Sequence, residues 1–169
     1  NEGYTPSKRG YSSPVQVGSG TDWVEADFGN NTAAALKTDG TLWTWGDNDY
    51  GNLGNTAMTT SAISSPTQVP GTTWSSVRMG DACYALKTDG TLWAWGDNGD
   101  GLLGQNDTVK QSSPVQIPGT DWSDISPRIG GGSIGMVTKT DGTLWMWGDN
   151  AAGELGQNQA TVKYSSPIQ

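Results

Sequence analysis

The side chains in this sequence that could do chemistry are mostly carboxylates, and they come in sets of three. Asp39, Asp89 and Asp141 each stand in a Thr-Asp-Gly step, and Asp47, Asp97 and Asp149 each follow a Trp-Gly step. Paired acids could serve glycoside hydrolysis. A reaction needs one copy of its acid and base, however, and these aspartates return in every unit. There Asp-Gly makes a turn, and an Asx side chain caps nearby backbone groups. The turn reading prevails.

Other chemistries lack their parts. The chain has no His, which removes Ser-His-Asp triads, Cys-His dyads and His-ligated metal sites. Cys83, the one cysteine, aligns with Ala33 and Gly135 and reads as a packed thiol in a strand. "GDNDYGN" and "GDNGDG" miss the ligand spacing of a calcium loop, and the Gly-rich stretch 129–135 lacks the Gly-Lys-Ser/Thr of a phosphate loop. No catalytic residue, metal or cofactor is expected, and the chain reads as not an enzyme.

What the repeated aspartates mark is a building unit. "KTDGTLWTWGDN" (37–48), "KTDGTLWAWGDN" (87–98) and "KTDGTLWMWGDN" (139–150) are nearly one line written three times. Ser-Ser-Pro falls at 12–14, 64–66, 112–114 and 165–167, and Trp23, Trp74 and Trp122 keep the same order. The landmarks divide the chain into an extension (1–11), repeats at 12–63, 64–111 and 112–164, and a last piece (165–169) that starts a next repeat or closes the structure. Variable stretches such as 55–63 lie in connections, where a stack of units tolerates insertions.

Local signals are β throughout. Asp39-Gly40, Asp89-Gly90 and Asp141-Gly142 predict two-residue type I′ hairpins. After each turn, Trp43 and Trp45 share one face of a strand, as do Trp93 with Trp95 and Trp145 with Trp147. A strand led by proline spans Pro14, Val15, Gln16 and Val17, matched at the other end by Pro167 and Ile168. Another strand is expected after Trp23, Trp74 and Trp122. Four short strands per unit, apolar on both faces, cannot stand alone and need neighbours on either side. That is the logic of a β-propeller. The six paired tryptophans are expected to fill the space between blades, each burial contributing several kcal/mol at ~25 cal/mol per Å².

Composition agrees and narrows the partners. The 169 residues include 25 Gly, 8 Pro and 9 Trp, and only 15% are charged. A net charge of −8 with nine Lys and Arg argues against nucleic acid and against an anionic membrane surface. No apolar run approaches the ~20 residues that span a bilayer as a helix, so membrane insertion is not expected.

"ALKTDGTLWTWGDNDYGNLG" followed by "SSPTQV" resembles the regulator of chromosome condensation repeat family, from about residue 11 to 169. The resemblance implies a propeller, in the family of about seven blades. It implies a range of activities: nucleotide exchange on a small GTPase, scaffolding, photoreceptor signalling and inhibition of a β-lactamase. Similar repeats look common in bacterial surface and phage proteins. Family members often carry a His before the Asp-Gly turn, and this chain has none; it also has three repeats.

Three blades plus one spare strand cannot close a ring, so the fold is expected to be open, or completed by another chain or by further repeats. The partner is then the chain itself, head to tail or in a ring, or more repeats of the same chain. The function expected is that of a structural or interaction propeller in an extracellular or virion assembly. The alternatives are a protein- or carbohydrate-binding module, an adhesin or enzyme inhibitor with Tyr50 as its exposed aromatic contact, and a small-GTPase exchange regulator. Asn30 and Asn106 stand in glycosylation triplets that matter if the protein is secreted.

Overall fold

A computed structural model describes residues 13–29, 31–55, 62–126 and 133–169. Asn30, Ser12, most of the 55–63 insertion and residues 129–132 of the Gly-rich stretch lie outside the described residues. The described chain forms twelve short strands in three antiparallel sheets of four, with no helix among them. Blade 1 holds β1 (Trp23–Gly29), β2 (Thr32–Lys37), β3 (Leu42–Gly46) and β4 (Ile63–Gln68). Blade 2 holds β5 (Trp74–Arg78), β6 (Ala82–Lys87), β7 (Leu92–Gly96) and β8 (Gln111–Gln116). Blade 3 holds β9 (Trp122–Ile125), β10 (Ile134–Lys139), β11 (Leu144–Gly148) and β12 (Tyr164–Ile168). In every blade the four strands lie side by side in chain order, and the result is an open propeller.

The blades are phased differently from the repeats marked by Ser-Ser-Pro. Each proline strand pairs with the strand that carries the tryptophans before it: β4 with β3, β8 with β7, β12 with β11. It therefore closes its own blade as an edge strand, where the missing proline N–H costs least. Pro167 and Ile168 belong to blade 3 and do not begin a fourth unit. The spare copy is the first one. Pro14, Val15, Gln16 and Val17 form no strand, and Val15 is 61% exposed. Their place in the pattern is beside a tryptophan strand preceding blade 1, and no such strand is among the described residues.

The Asp-Gly turns also differ from expectation. The Gly40 amide donates to the Lys37 carbonyl at 3.0 Å and the Lys37 amide to the Thr41 carbonyl at 2.9 Å. Gly40 has φ of 77° whereas Asp39 is not left-handed. A type I′ turn needs both central residues left-handed. This is a type I turn over Thr38-Asp39 closed by a glycine bulge, the usual three-residue hairpin loop. Blades 2 and 3 repeat it at Gly90 and Gly142.

Strand alternation gives each blade two unlike faces. One carries Leu42 and Thr44 or their counterparts, and the other carries the tryptophans. The Leu face of blade 1 (Ala34, Leu36, Leu42, Val69) packs on Trp74, Val77, Met79, Cys83 and Trp95 of blade 2. The Leu face of blade 2 packs in the same sense on Trp122, Ile125, Val137 and Trp147 of blade 3. The core is thus two seams of the same polarity. First strands of successive blades touch, β1 with β5 and β5 with β9.

Candidate functional site

No three His, Cys, Asp or Glu side chains gather as a metal site among the described residues. Cys83 is fully buried and its thiol is pushed up to about 12 by burial. The Asp-Gly carboxylates serve the turns. Asp39 Oδ1 accepts from the Thr41 amide at 2.9 Å and from its hydroxyl at 2.6 Å. The same hydroxyl oxygen accepts the Trp43 indole N–H at 2.9 Å. Asp89-Thr91-Trp93 and Asp141-Thr143-Trp145 repeat this relay. The threonine hydroxyl, and then its amide, hold all three carboxyls below the usual aspartate range.

The relay locks one tryptophan of each pair into a clasp within its own blade. Trp43 meets Trp23 edge to face at 6.4 Å, with the Lys37 ammonium 4.8 and 5.2 Å from the Trp23 and Trp43 ring centroids. Lys87 stands likewise over Trp74 and Trp93, and Lys139 over Trp122 and Trp145. Trp93 and Trp145 then border the seams. The other tryptophan of each pair crosses to the preceding blade. Trp95 Nε1 donates to the Asn52 carbonyl at 2.9 Å, and Trp147 Nε1 donates to the Leu102 carbonyl. Among the described residues, Trp45 of blade 1 has neither a blade before it nor a partner, and it is half-buried.

The loop that supplies those carbonyls is organised by the asparagine of Gly-Asp-Asn. Asn48, Asn98 and Asn150 are fully buried, and each Oδ1 accepts the amide of the loop leucine, Leu53, Leu103 or Leu155, at 2.8 to 3.0 Å. Gly101 lies so close to the next blade that a Cβ there would sit 2.6 Å from Ser165 Cβ. Two lysines fasten the outer ends of the seams. Lys110 pairs with Asp97 of its own blade at 3.2 Å and covers the Tyr50 ring of blade 1 at 3.8 Å. Lys163 pairs with Asp149 at 3.6 Å and with Asp100 of blade 2. Tyr50 thus presents a face already taken by Lys110. A polar cleft of about 360 Å³ lined by Asn31, Asp47, Tyr50, Asn52 and Asp81 lies on this first seam. Asn106 is exposed with φ of 61°, and its amide donates to the Ser165 carbonyl at 2.7 Å.

What the geometry leaves available is the two ends. Blade 1 presents the Trp face of a seam: Ala26, Phe28, Ala33 and Trp45. Phe28 is 80% exposed, while Met79, its counterpart one blade on, is 1% exposed. Blade 3 presents the Leu face, where Leu144 is 46% exposed against 0% for Leu42 and Leu92. Hydrogen-bond halves go with them. The Trp74 and Trp122 amides donate to Gly40 and Gly90 of the blade before, so blade 1 offers the Trp23 amide and blade 3 the Gly142 carbonyl. The sequence pattern assigns all six paired tryptophans to blade packing. It passes over Trp23, Trp74 and Trp122, the clasp lysines and the buried asparagines, although each recurs once per repeat.

Comparison with known proteins agrees with this architecture. The family model for the Regulator of chromosome condensation (RCC1) repeat matches residues 39–84 and 89–127, and a second model of the same repeat matches 23–52. No curated protein matches the sequence. Among solved structures, human WBSCR16 superposes with TM-score 0.71 at 21% identity over 86% of this chain and 39% of its own. Prp20p from Saccharomyces cerevisiae, a structure accompanied by its binding properties to Gsp1p and histones, gives TM-score 0.71 at 15% identity over 87% and 38%. Yeast RCC1 (Prp20) bound to Kap60 gives 0.73 at 16% over 88% and 37%. At such identities the likeness is one of fold, and the chain spans under two fifths of the length of these structures. With its family model matched over half of its length, this chain belongs to the Regulator of chromosome condensation (RCC1) repeat family.

Proposed function

We propose that this chain is a non-enzymatic, protein-binding propeller segment whose two end faces are its principal interaction surfaces and take further blades of the same repeat type. The observation that carries this reading is Phe28, 80% exposed at the place where Met79 is buried in a seam. An apolar face of that kind is half of an interface whose other half is already drawn twice inside the molecule. Further blades can come from longer chain or from other copies. Protein partners also fit the structural neighbours, since Prp20 is the protein bound by Kap60. An extracellular or virion setting is supported by composition alone: low charge, abundant Ser, Thr and Asn, and a single cysteine.

Chemical cross-linking over a concentration series tests the reading. The chain should give a ladder of multiples, and Phe28→Glu or Leu144→Glu, each placing a charge on one end face, should each suppress it. A ladder indifferent to both substitutions would overturn the assignment of the end faces.

A further inference from the structure

We propose that the open face of blade 3 is a docking surface for a repeat blade carrying Arg or Lys at the place of Arg78, and that its charge selects against a second copy of this chain. The inference rests on the reading of the end faces above and names the partner that the blade 3 face fits.

The first strands carry a polar pair that changes from seam to seam. Pairing register puts Glu25, Ser76 and Asp124 at one place, opposite Leu36, Leu86 and Thr138. Two residues on, Asp27 and Arg78 stand opposite Ala34 and Tyr84, and the Ser126 amide reaches the Met136 carbonyl. At the first seam, Glu25 of blade 1 ion-pairs with Arg78 of blade 2, and the Ser76 hydroxyl donates to the same Glu25 oxygen at 3.2 Å. At the second seam the corresponding residues are Ser76 and Ser126, both uncharged.

On the open face of blade 3 the first of these places holds Asp124. It is exposed, without a partner among the described residues, and lines a cleft of about 220 Å³ with Met136, Val137 and Leu144. The second place, at the other end of the chain, holds Asp27. A second copy seated with the seam geometry therefore offers Asp124 no base: its Asp27 faces the first seam of its own copy, where the carboxylate accepts the Met79 amide at 2.8 Å, and the copy brings a net charge of −8. Apolar shape admits the copy, but seating it would cover the Asp124 carboxylate with no base to answer it. An incoming blade with a base at the Arg78 place restores the opposite-charge arrangement of the first seam. Complementary charge of this kind sets which partner docks more than how tightly any apolar face adheres.

Asp124→Arg tests the selection directly, because an exposed, unpartnered side chain can be reversed without disturbing a blade. In sedimentation equilibrium at low salt the variant should self-associate about tenfold more tightly than the unaltered chain, since a guanidinium replaces an unanswered carboxylate on a face that must meet a protein of net charge −8. The difference should shrink in high salt, and adding Phe28→Glu should abolish the gain. Equal self-association of the unaltered chain and the variant at low salt would overturn the charge selection and leave the end-face reading standing. Absence of association in both, at every concentration, would remove the end-face reading itself.

Discussion

The indole of Trp95 donates across the first seam to the carbonyl of Asn52, 2.9 Å away and 43 residues earlier in the chain. The same carbonyl receives the Cys83 thiol at 3.3 Å, and all of this lies out of reach of water. Replacing Trp95 with Phe keeps most of the apolar volume and removes the donor. A loss of about 1–2 kcal/mol is expected from urea unfolding, typical of a buried hydrogen bond. Trp45→Phe, at the same place on the open face, should change stability by less than about 0.5 kcal/mol. Equal effects would mean that the seam geometry is not as described.

Asn98 is the hub of its loop, with Oδ1 accepting from Leu103 and Nδ2 donating to Asp107 and to the Val109 carbonyl. Asn98→Ala orphans the buried Leu103 amide and releases the part-buried carbonyls of Asp107 and Val109, and an orphaned buried group costs about 1–3 kcal/mol. A drop of at least about 2 kcal/mol in the urea-derived stability is expected, with the loop amides 103–109 losing protection from hydrogen exchange.

Cys83 should be invisible to thiol reagents in the folded protein. Burial pushes its pKa up to about 12, so little thiolate exists near neutrality, and none of the side chain is accessible. Ellman's reagent should react in step with unfolding and not before. Fast reaction in native buffer would contradict the packing of blade 2 on blade 1.

The Asp-Thr-Trp relays predict an acid-sensitive fold. The folded-state pKa of Asp39, Asp89 and Asp141 is lowered, chiefly by the threonine hydroxyl bonded to each carboxylate. A lowered folded-state value contributes stability above the ordinary aspartate pKa of about 3.9. That contribution is lost as pH falls through the lower folded-state value. Stability measured by tryptophan fluorescence should therefore decline below about pH 4, and an Asp39→Asn, Asp89→Asn, Asp141→Asn triple variant should show a flatter profile. An unchanged profile would leave the relays without a role in stability.

Much of this architecture could be read from repeated strings, because a blade writes its needs locally. The Trp-x-Trp alternation specifies a two-faced strand, and Asp-Gly marks the hairpin between β2 and β3. The phase of the blades could not be read, since Ser-Ser-Pro looks like a beginning. Only pairing shows that β4 adds beside β3. The turn type stayed hidden because Asp-Gly serves both a type I′ turn and a bulged type I turn, and the strand register chooses between them. The two roles of the paired tryptophans were hidden for another reason. Trp43 and Trp45 share one strand face, and what separates them is the position of Thr41 and of a neighbouring blade. The contacts across the seams were least legible of all, since Glu25 and Arg78 lie far apart in the chain and repeat nowhere else.

Sedimentation velocity over a wide concentration range tests most directly whether these leaves of sheet are incomplete at both ends. Species larger than the 17.7 kDa chain should grow with concentration and recede in the Phe28→Glu variant. A sharp boundary at monomer mass throughout, with Phe28→Glu sedimenting identically, would show that the exposed Trp and Leu faces are content in water and that no further blade is needed.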